Sequence, residues 1–336
     1  MARPAEQLKS IVGSGLLSFP VTHFTAEGAL DPDPYRAHVT YLAQHKPAAF
    51  FAAGGTGEFF SLAPGEYEDV VAGAVEAAGG RIPVIAGAGH GTALAIEFAR
   101  RAERAGADGI LLLPPYLIQA EQEGLYRHVA AVCRAVGLGV VLYHRDNCLL
   151  EADTVRRLAE ACPNLIGLKD GHGNVEHLTL ITQKLGDRLV YIGGMPTAEV
   201  FATANHAIGI TTYSSAIFNF LPEYALSFYA AVQEGDTDFT NRALQAFFAP
   251  YLAIRNRRRG YAVSIVKAGL RAVGRPAGPV RAPLTDLMAE EVQLLAKLID
   301  IARTAPRLAS GPAPTPDASP ETPSLRSPQQ QPLPRA

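Results

Sequence analysis

Eight short apolar runs, each followed by a polar or glycine-rich loop, constrain this chain more than any other feature. They occupy residues 16–24, 48–53, 83–88, 109–113, 139–143, 165–168, 189–192 and 209–213. Between them lie amphipathic stretches with helical spacing, such as 92–105, 122–136, 151–162 and 175–185. Strand-like runs that alternate with helical patterns every 20–35 residues or so imply parallel strands joined by crossover helices. Eight such units match a (β/α)8 TIM barrel, an architecture of about 250 residues. In a barrel the loops after the strands converge on one face, where active sites lie. Residues 221–233 read as the helix that completes the barrel, and 239–257, 261–273 and 285–304 as a C-terminal helical extension. The expected folded unit is therefore 8–303, with the barrel at about 13–235 and the extension at about 236–303. From 304 to 336 nine prolines alternate with Ser, Thr, Ala and Gln. Such a segment cannot bury enough apolar surface to offset its ordering entropy, and it reads as a disordered tail.

Composition removes several function classes. Thirty Lys+Arg against 32 Asp+Glu leave a net charge of -2, so no global field favours nucleic acid. The run of basic residues at Arg255, Arg257, Arg258 and Arg259 lacks interleaved aromatics and reads as a solvated helix end. No stretch of about 18 uncharged apolar residues occurs, and no membrane partner is expected. The three cysteines, Cys133, Cys148 and Cys162, form no CxxC and have no histidine-rich partner spacing, which argues against a disulfide framework or a zinc site. His172 and His177 lack a third ligand, so no metal is expected. Cys148 has no evident base partner and is not expected to be a nucleophile. No apolar leader precedes Gly13, and a reducing cytoplasm is the expected compartment.

Three strand ends carry groups suited to chemistry on a carbonyl. Lys169 follows the apolar run 165–168. Turned into a barrel it would lose hydration, which disfavours the ammonium and leaves a neutral amine able to attack a ketone. The alternative is a strand-end lysine that reaches solvent. Tyr143 ends the preceding run, where its hydroxyl could relay protons to an imine or simply pack at the rim. Gly54-Gly55-Thr56-Gly57-Glu58 follows the second run. Its glycines allow close backbone approach, its amides can form an anion-binding nest, and Thr56 adds a hydroxyl, although a ligand-free glycine turn reads the same way. No phosphate-loop spacing or GxGxxG is present there.

These segments, with Gly167-Leu168-Lys169-Asp170, occur in the order and at about the distances found in the dihydrodipicolinate synthase/N-acetylneuraminate lyase family, which the chain resembles over nearly all of 13–303. The resemblance implies a (β/α)8 barrel that uses Lys169 as a Schiff-base nucleophile on a 2-keto acid, with no cofactor. It implies Tyr143 as proton relay, and Gly55, Thr56 and Gly57 around the substrate carboxylate. It also suggests a homo-oligomer, a tetramer of barrels. Departures narrow the choice. Gly55 stands where the synthase and the neuraminate lyase carry a hydroxyl. Leu117 replaces a tyrosine that in the synthase reaches a neighbouring subunit, and Cys148 replaces an arginine five positions after the tyrosine. His144 differs from the asparagine expected beside Tyr143.

The segments 143–147, 193–199, 213–220 and 260–267 instead resemble a decarboxylating dehydratase of the family, acting on a keto sugar diacid. For its distal carboxylate and hydroxyls the candidates are Asn147, Ser214 and Ser215, and Gly194 is a further substrate-binding candidate. Arg145 joins them by charge-assisted pairing, unless it forms a rim ion pair with Asp146. A carboxylate about to leave as carbon dioxide is better held by hydroxyl and amide donors than by a tight cation. Two other readings remain open. One is a different keto-acid aldolase using the same three residues, and the other is a non-catalytic keto-acid-binding barrel.

Overall fold

The computed structural model describes residues 2–275 and 277–304 of the 336. The Pro-rich segment expected to be disordered lies outside these, apart from Thr304. Eight parallel strands close on themselves in chain order: β1 Leu17–Ser18, β2 Ala49–Ala52, β3 Val84–Ala88, β4 Gly109–Leu112, β5 Gly139–His144, β6 Leu165–Asp170, β7 Val190–Gly193 and β8 Thr212–Ser215. β8 pairs back onto β1, which completes the (β/α)8 barrel expected from the sequence. Every strand position but Val190 and Ser214 is buried, as a sheet covered on both faces requires.

Ahead of the barrel lies α1, Ala5–Gly13, which the apolar pattern does not announce. Its Leu8 and Val12 stand one turn apart, too short a stripe to register as a helix. They plug the N-terminal end of the barrel against Ile85, Leu111, Val141, Ile166 and Ile192. The crossover helices are α2 Pro32–Gln44, α3 Pro64–Ala78, α4 Thr92–Arg104, α5 Gln122–Ala135, α6 Ala152–Ala161, α7 Val175–Leu185, α8 Glu199–Ala207 and α9 Pro222–Glu234. A second, larger apolar cluster fills the space between them and the strands. The first strand is much shorter than the apolar run 16–24, because Pro20 brings no N–H to the ladder.

Four more helices follow: α10 Thr237–Ala243, α11 Ala249–Arg255, α12 Tyr261–Ala272 and α13 Ala289–Thr304. The expected single helix 239–257 is interrupted by a π turn at Leu244–Phe248. Pro250 lacks an N–H and its ring would strike the carbonyl four residues back, so the wider turn absorbs it. The last helix starts four residues later than the periodicity suggests. Glu291 caps it, accepting from the Met288 amide at 3.0 Å and from the Tyr261 hydroxyl at 2.8 Å.

The extension is tied to the barrel by a buried ion pair. Lys267 Nζ on α12 lies 2.7 Å from Glu58 Oε1 in the loop after β2, and both side chains are fully inaccessible. The Arg281 amide donates to the other carboxylate oxygen at 3.0 Å. Glu58, read as part of a ligand cradle, thus has a bracing role.

Candidate active site

The loops after the strands concentrate backbone strain. Of the seven non-glycine residues with positive φ among the described residues, all but Lys46 lie in these loops: Ala53, Glu58, His90, Leu117, Asp146 and Thr197. Thr197, at φ 57°, is a β-branched residue in the left-handed region, an outlier that its surroundings must enforce.

Lys169 sits on β6 opposite Tyr143 of β5. A bulge makes this alignment: Val140 pairs with Leu165 and Val141 with Gly167, which leaves Ile166 as an extra residue. Beyond the bulge the strand is re-aimed, and Lys169 points into the barrel as Tyr143 does. Its ammonium position is 3.8 Å from the centre of the Tyr143 ring and 5.2 Å from that of Phe19. Nζ donates to the Gly194 carbonyl at 3.1 Å, and the Tyr143 hydroxyl donates to the same oxygen at 3.0 Å. One acceptor therefore gathers both groups. Gly194 has to be glycine, because a Cβ there would fall 2.6 Å from Lys169 Nζ, Lys169 Cγ and the Asp170 carbonyl.

The electrostatics follow from burial. Lys169 is 3% exposed, and desolvation lowers its pKa from the usual lysine value, partly opposed by the nearby Tyr143 oxygen. For Tyr143 burial pushes upward, but Lys169 and Arg145 together outweigh it and the phenol ends below its ordinary pKa. Arg145 Nη1 donates to the Tyr143 hydroxyl at 3.1 Å while Nε pairs with Asp146 at 3.1 Å. The rim ion pair with Asp146 is thus formed, and the other end of the guanidinium reaches the Tyr143 hydroxyl.

Above these groups opens a cavity of about 370 Å3. Lys169, Tyr143 and Arg145 line it, as do Gly55 and Thr56 from the loop after β2, Gly194 from the loop after β7 and Ser214 from β8. Three expected residues do not. Gly57 is packed behind the loop, where a Cβ would lie 3.1 Å from the Ala53 backbone, and its carbonyl accepts from Thr22. Asn147 turns its amide outward to the Pro115 carbonyl at 2.8 Å and to that of Ile118, and so holds the loop after β4. Ser215, fully buried, donates to Glu199 at 2.6 Å and accepts from the Phe218 amide. Neighbours along the chain alternate between faces, so only one of Ser214 and Ser215 can look inward.

Other lining residues were missed by sequence reasoning: Thr197 in the loop after β7, Tyr251, Arg255 and Leu284 from the C-terminal extension, and Phe19 from the loop after β1. Arg255, expected at a solvated helix end with Arg257–Arg259, is half-buried here, whereas those three are exposed. Its only sequence signal is the four-residue spacing from Tyr251, which puts both on one helical face.

Other singled-out groups lie elsewhere. Cys148 is buried and its thiol is pushed up to about 12 by desolvation. His144 packs between His172 and His177, and no group of three metal-binding side chains able to hold an ion forms among the described residues.

A barrel whose mouth holds a desolvated amine, a phenol within its reach and a largely apolar cavity with a few polar groups has the architecture of an imine-forming lyase. Comparison with known proteins makes this specific. The Dihydrodipicolinate synthetase family model matches residues 13–302, close to the span of the resemblance read from the sequence, and the chain belongs to that family. A Rhizobium rhizogenes protein named "probable 5-dehydro-4-deoxyglucarate dehydratase" is 58% identical over 299 residues, 89% of this chain and 99% of the relative. A protein of the same name from Methylobacterium radiotolerans is 60% identical over 88% of this chain and 97% of its own length. Among solved structures, dihydrodipicolinate synthase from Bacillus clausii superposes with a TM-score of 0.80 at 25% identity, covering 89% of this chain and 99% of that one. The Cyanidioschyzon merolae enzyme gives 0.78 at 28% identity, covering 87% and 99%.

Proposed function

We propose that the chain is a decarboxylating dehydratase that converts 5-dehydro-4-deoxy-D-glucarate to 2,5-dioxopentanoate, carbon dioxide and water. The carrying observation is the buried Lys169 amine, sharing one carbonyl with Tyr143, in a chain more than half identical to proteins named for that dehydration. Lys169 attacks the C5 ketone, and Tyr143 moves the protons as the carbinolamine loses water to give an iminium. Burial keeps the amine unprotonated nearer neutrality than a free lysine, and Arg145 stabilises the phenolate form of its relay. Gly55 and Thr56 are placed to receive the C6 carboxylate beside the iminium. The iminium acidifies C4, and loss of that proton gives an enamine that expels the C3 hydroxyl as water. The resulting conjugated iminium accepts the electron pair of the C1–C2 bond as C1 departs as carbon dioxide. Hydrolysis of the imine and ketonisation at C2 release the keto aldehyde. Lysine supplies the electron sink, so the sequence of steps calls on no added cofactor.

The substrate partner is thus a small keto sugar acid. Homo-oligomer formation and a cytoplasmic location complete the reading. Exposed Tyr116, Leu117 and Ile118 in the loop after β4 and the three free cysteines support these two points. No helix among the described residues is long and apolar enough to cross a membrane. Borohydride reduction with 5-dehydro-4-deoxy-D-glucarate, followed by peptide mass spectrometry, tests the chemistry. An adduct on Lys169 lacking the mass of carbon dioxide and water supports it. An adduct cut down to the three carbons of pyruvate would favour an aldolase, and none at all a binding protein.

A further inference from the structure

The distal end of the substrate has no assigned partner, and Arg255 in the cavity has no ion-pair partner among the described residues. The charged residues that line the cavity are Arg145, Asp146, Lys169 and Arg255. Asp146 pairs with Arg145, whose other contact is the Tyr143 hydroxyl at the reacting end. Lys169 has to be neutral to react. All four hydrogen bonds of Arg255 go to neutral oxygens: Nη1 to the Pro196 carbonyl at 2.7 Å and Thr197 Oγ1 at 2.8 Å, and Nε and Nη2 to Asn256 Oδ1 at 3.1 and 2.9 Å. Glu199 is near enough for its charge to be felt at Arg255, but it is fully buried, hydrogen-bonded to Ser215 and not in an ion pair with Arg255.

We propose that Arg255, with the Thr197 hydroxyl it orients, forms the subsite for the second carboxylate of a dicarboxylic keto acid and so selects diacids over monoacids. The inference rests on the imine-forming reading above. Three features support it. A half-buried guanidinium that faces a cavity and is hydrogen-bonded only to neutral oxygens among the described residues is stabilised by an anionic ligand. The π turn ahead of α11 sets Tyr251 and Arg255, one turn apart, toward the barrel mouth, and such turns recur at functional sites. Thr197 already accepts from Arg255, so its own hydrogen is free to donate, and its strained backbone is what presents it there.

The geometry also reconciles a cation with a carboxylate that must leave. Arginine has five N–H groups, and four of them are occupied by the protein. What remains is one donor and a diffuse positive field, not a bidentate clamp. Arg255 can therefore draw in a dianion without binding the ground state so firmly that loss of carbon dioxide is slowed. The helical extension on this account supplies substrate selection and not only bracing.

The test compares the wild type, Arg255→Gln and Arg255→Lys on two ligands. One is 5-dehydro-4-deoxy-D-glucarate, followed by carbon dioxide release. The other is pyruvate, whose only carboxylate adjoins its ketone, followed by borohydride-trapped adduct. Loss of one charge-assisted contact predicts a rise of roughly 10- to 100-fold in KM for the diacid with Arg255→Gln. The expected fall in kcat is smaller, and Arg255→Lys should recover part of the loss. The diacid should lose at least about tenfold more than the half-saturating concentration of pyruvate does. A parallel loss for both ligands would mean that Arg255 only clamps the Pro196–Thr197 segment, and an unchanged diacid KM would overturn the subsite outright. If wild type traps neither ligand, the imine reading fails and the subsite fails with it.

Discussion

Two lysines of this protein are withdrawn from water, and they are used in opposite ways. Lys169 at the barrel mouth and Lys267 on α12 each lie over aromatic rings and donate to a backbone carbonyl, at 3.1 and 2.8 Å. Desolvation pulls the pKa of both down. The difference is a carboxylate. Lys267 has Glu58 at 2.7 Å, which keeps it an ammonium and makes it a brace between barrel and extension. Lys169 has a phenol and a carbonyl instead, so proton loss leaves no orphaned anion behind. Burial alone does not make a lysine reactive; burial without a carboxylate partner does.

Exchanging each lysine for methionine should separate these roles. Lys169→Met is expected to abolish turnover and adduct formation while its urea midpoint stays at or above that of the wild type, because a desolvated amine gives way to an apolar chain of similar shape. In the wild type, the pH profile of adduct formation should level off below the ordinary lysine pKa of 10.5. Tyr143→Phe leaves the amine but removes its proton relay, and the rate should fall about 10²- to 10⁴-fold, with the lysine adduct still formed slowly. Undiminished kcat in that variant would remove Tyr143 from the mechanism.

Lys267→Met, by contrast, strands a buried Glu58 and should cost about 3–5 kcal/mol of unfolding free energy. Adding Glu58→Gln should restore much of it, and a fully additive double variant would contradict the bracing role.

Glu199 applies the same rule to an acid. Its burial raises the pKa from 4.5 to about 7. A raised carboxyl pKa stabilises the fold fully below about 4.5, and that contribution is lost as the pH climbs through about 7. Glu199→Gln keeps the acceptor for Ser215 and should flatten this loss. Its stability relative to wild type should rise by at most ~3 kcal/mol between pH 5 and pH 8. Denaturation curves at the two values suffice, and an equal gap at both would show that the carboxyl does not titrate there.

The barrel was legible because its evidence is local and repeated. Eight apolar runs with a loop after each need no knowledge of distant contacts, and α7 falls where its periodicity puts it, at Val175–Leu185. The near side of the site was legible for a related reason. Lys169, Tyr143, Gly55, Thr56, Gly194 and Ser214 stand on or just after strands, and the topology alone sends such positions to one face. Asn147, Ser215 and Gly57 share the same loops and were read alike. One residue's difference in position turns a side chain from the cavity into the loop packing, and composition carries no such information.

The chain by itself determined a parallel eight-stranded barrel, an amine and a phenol at adjacent strand ends, and a glycine-rich loop nearby. These follow from hydrophobic periodicity, residue type and the handed closure of βαβ units, all short-range properties. Only the tertiary structure decided that a bulge at Ile166 aims Lys169 inward, that Glu58 and Lys267 meet, and that Arg255 faces the substrate cavity. Each depends on an offset of one residue or on elements far apart in sequence. Contacts of that kind exist only once the whole fold has brought its parts together.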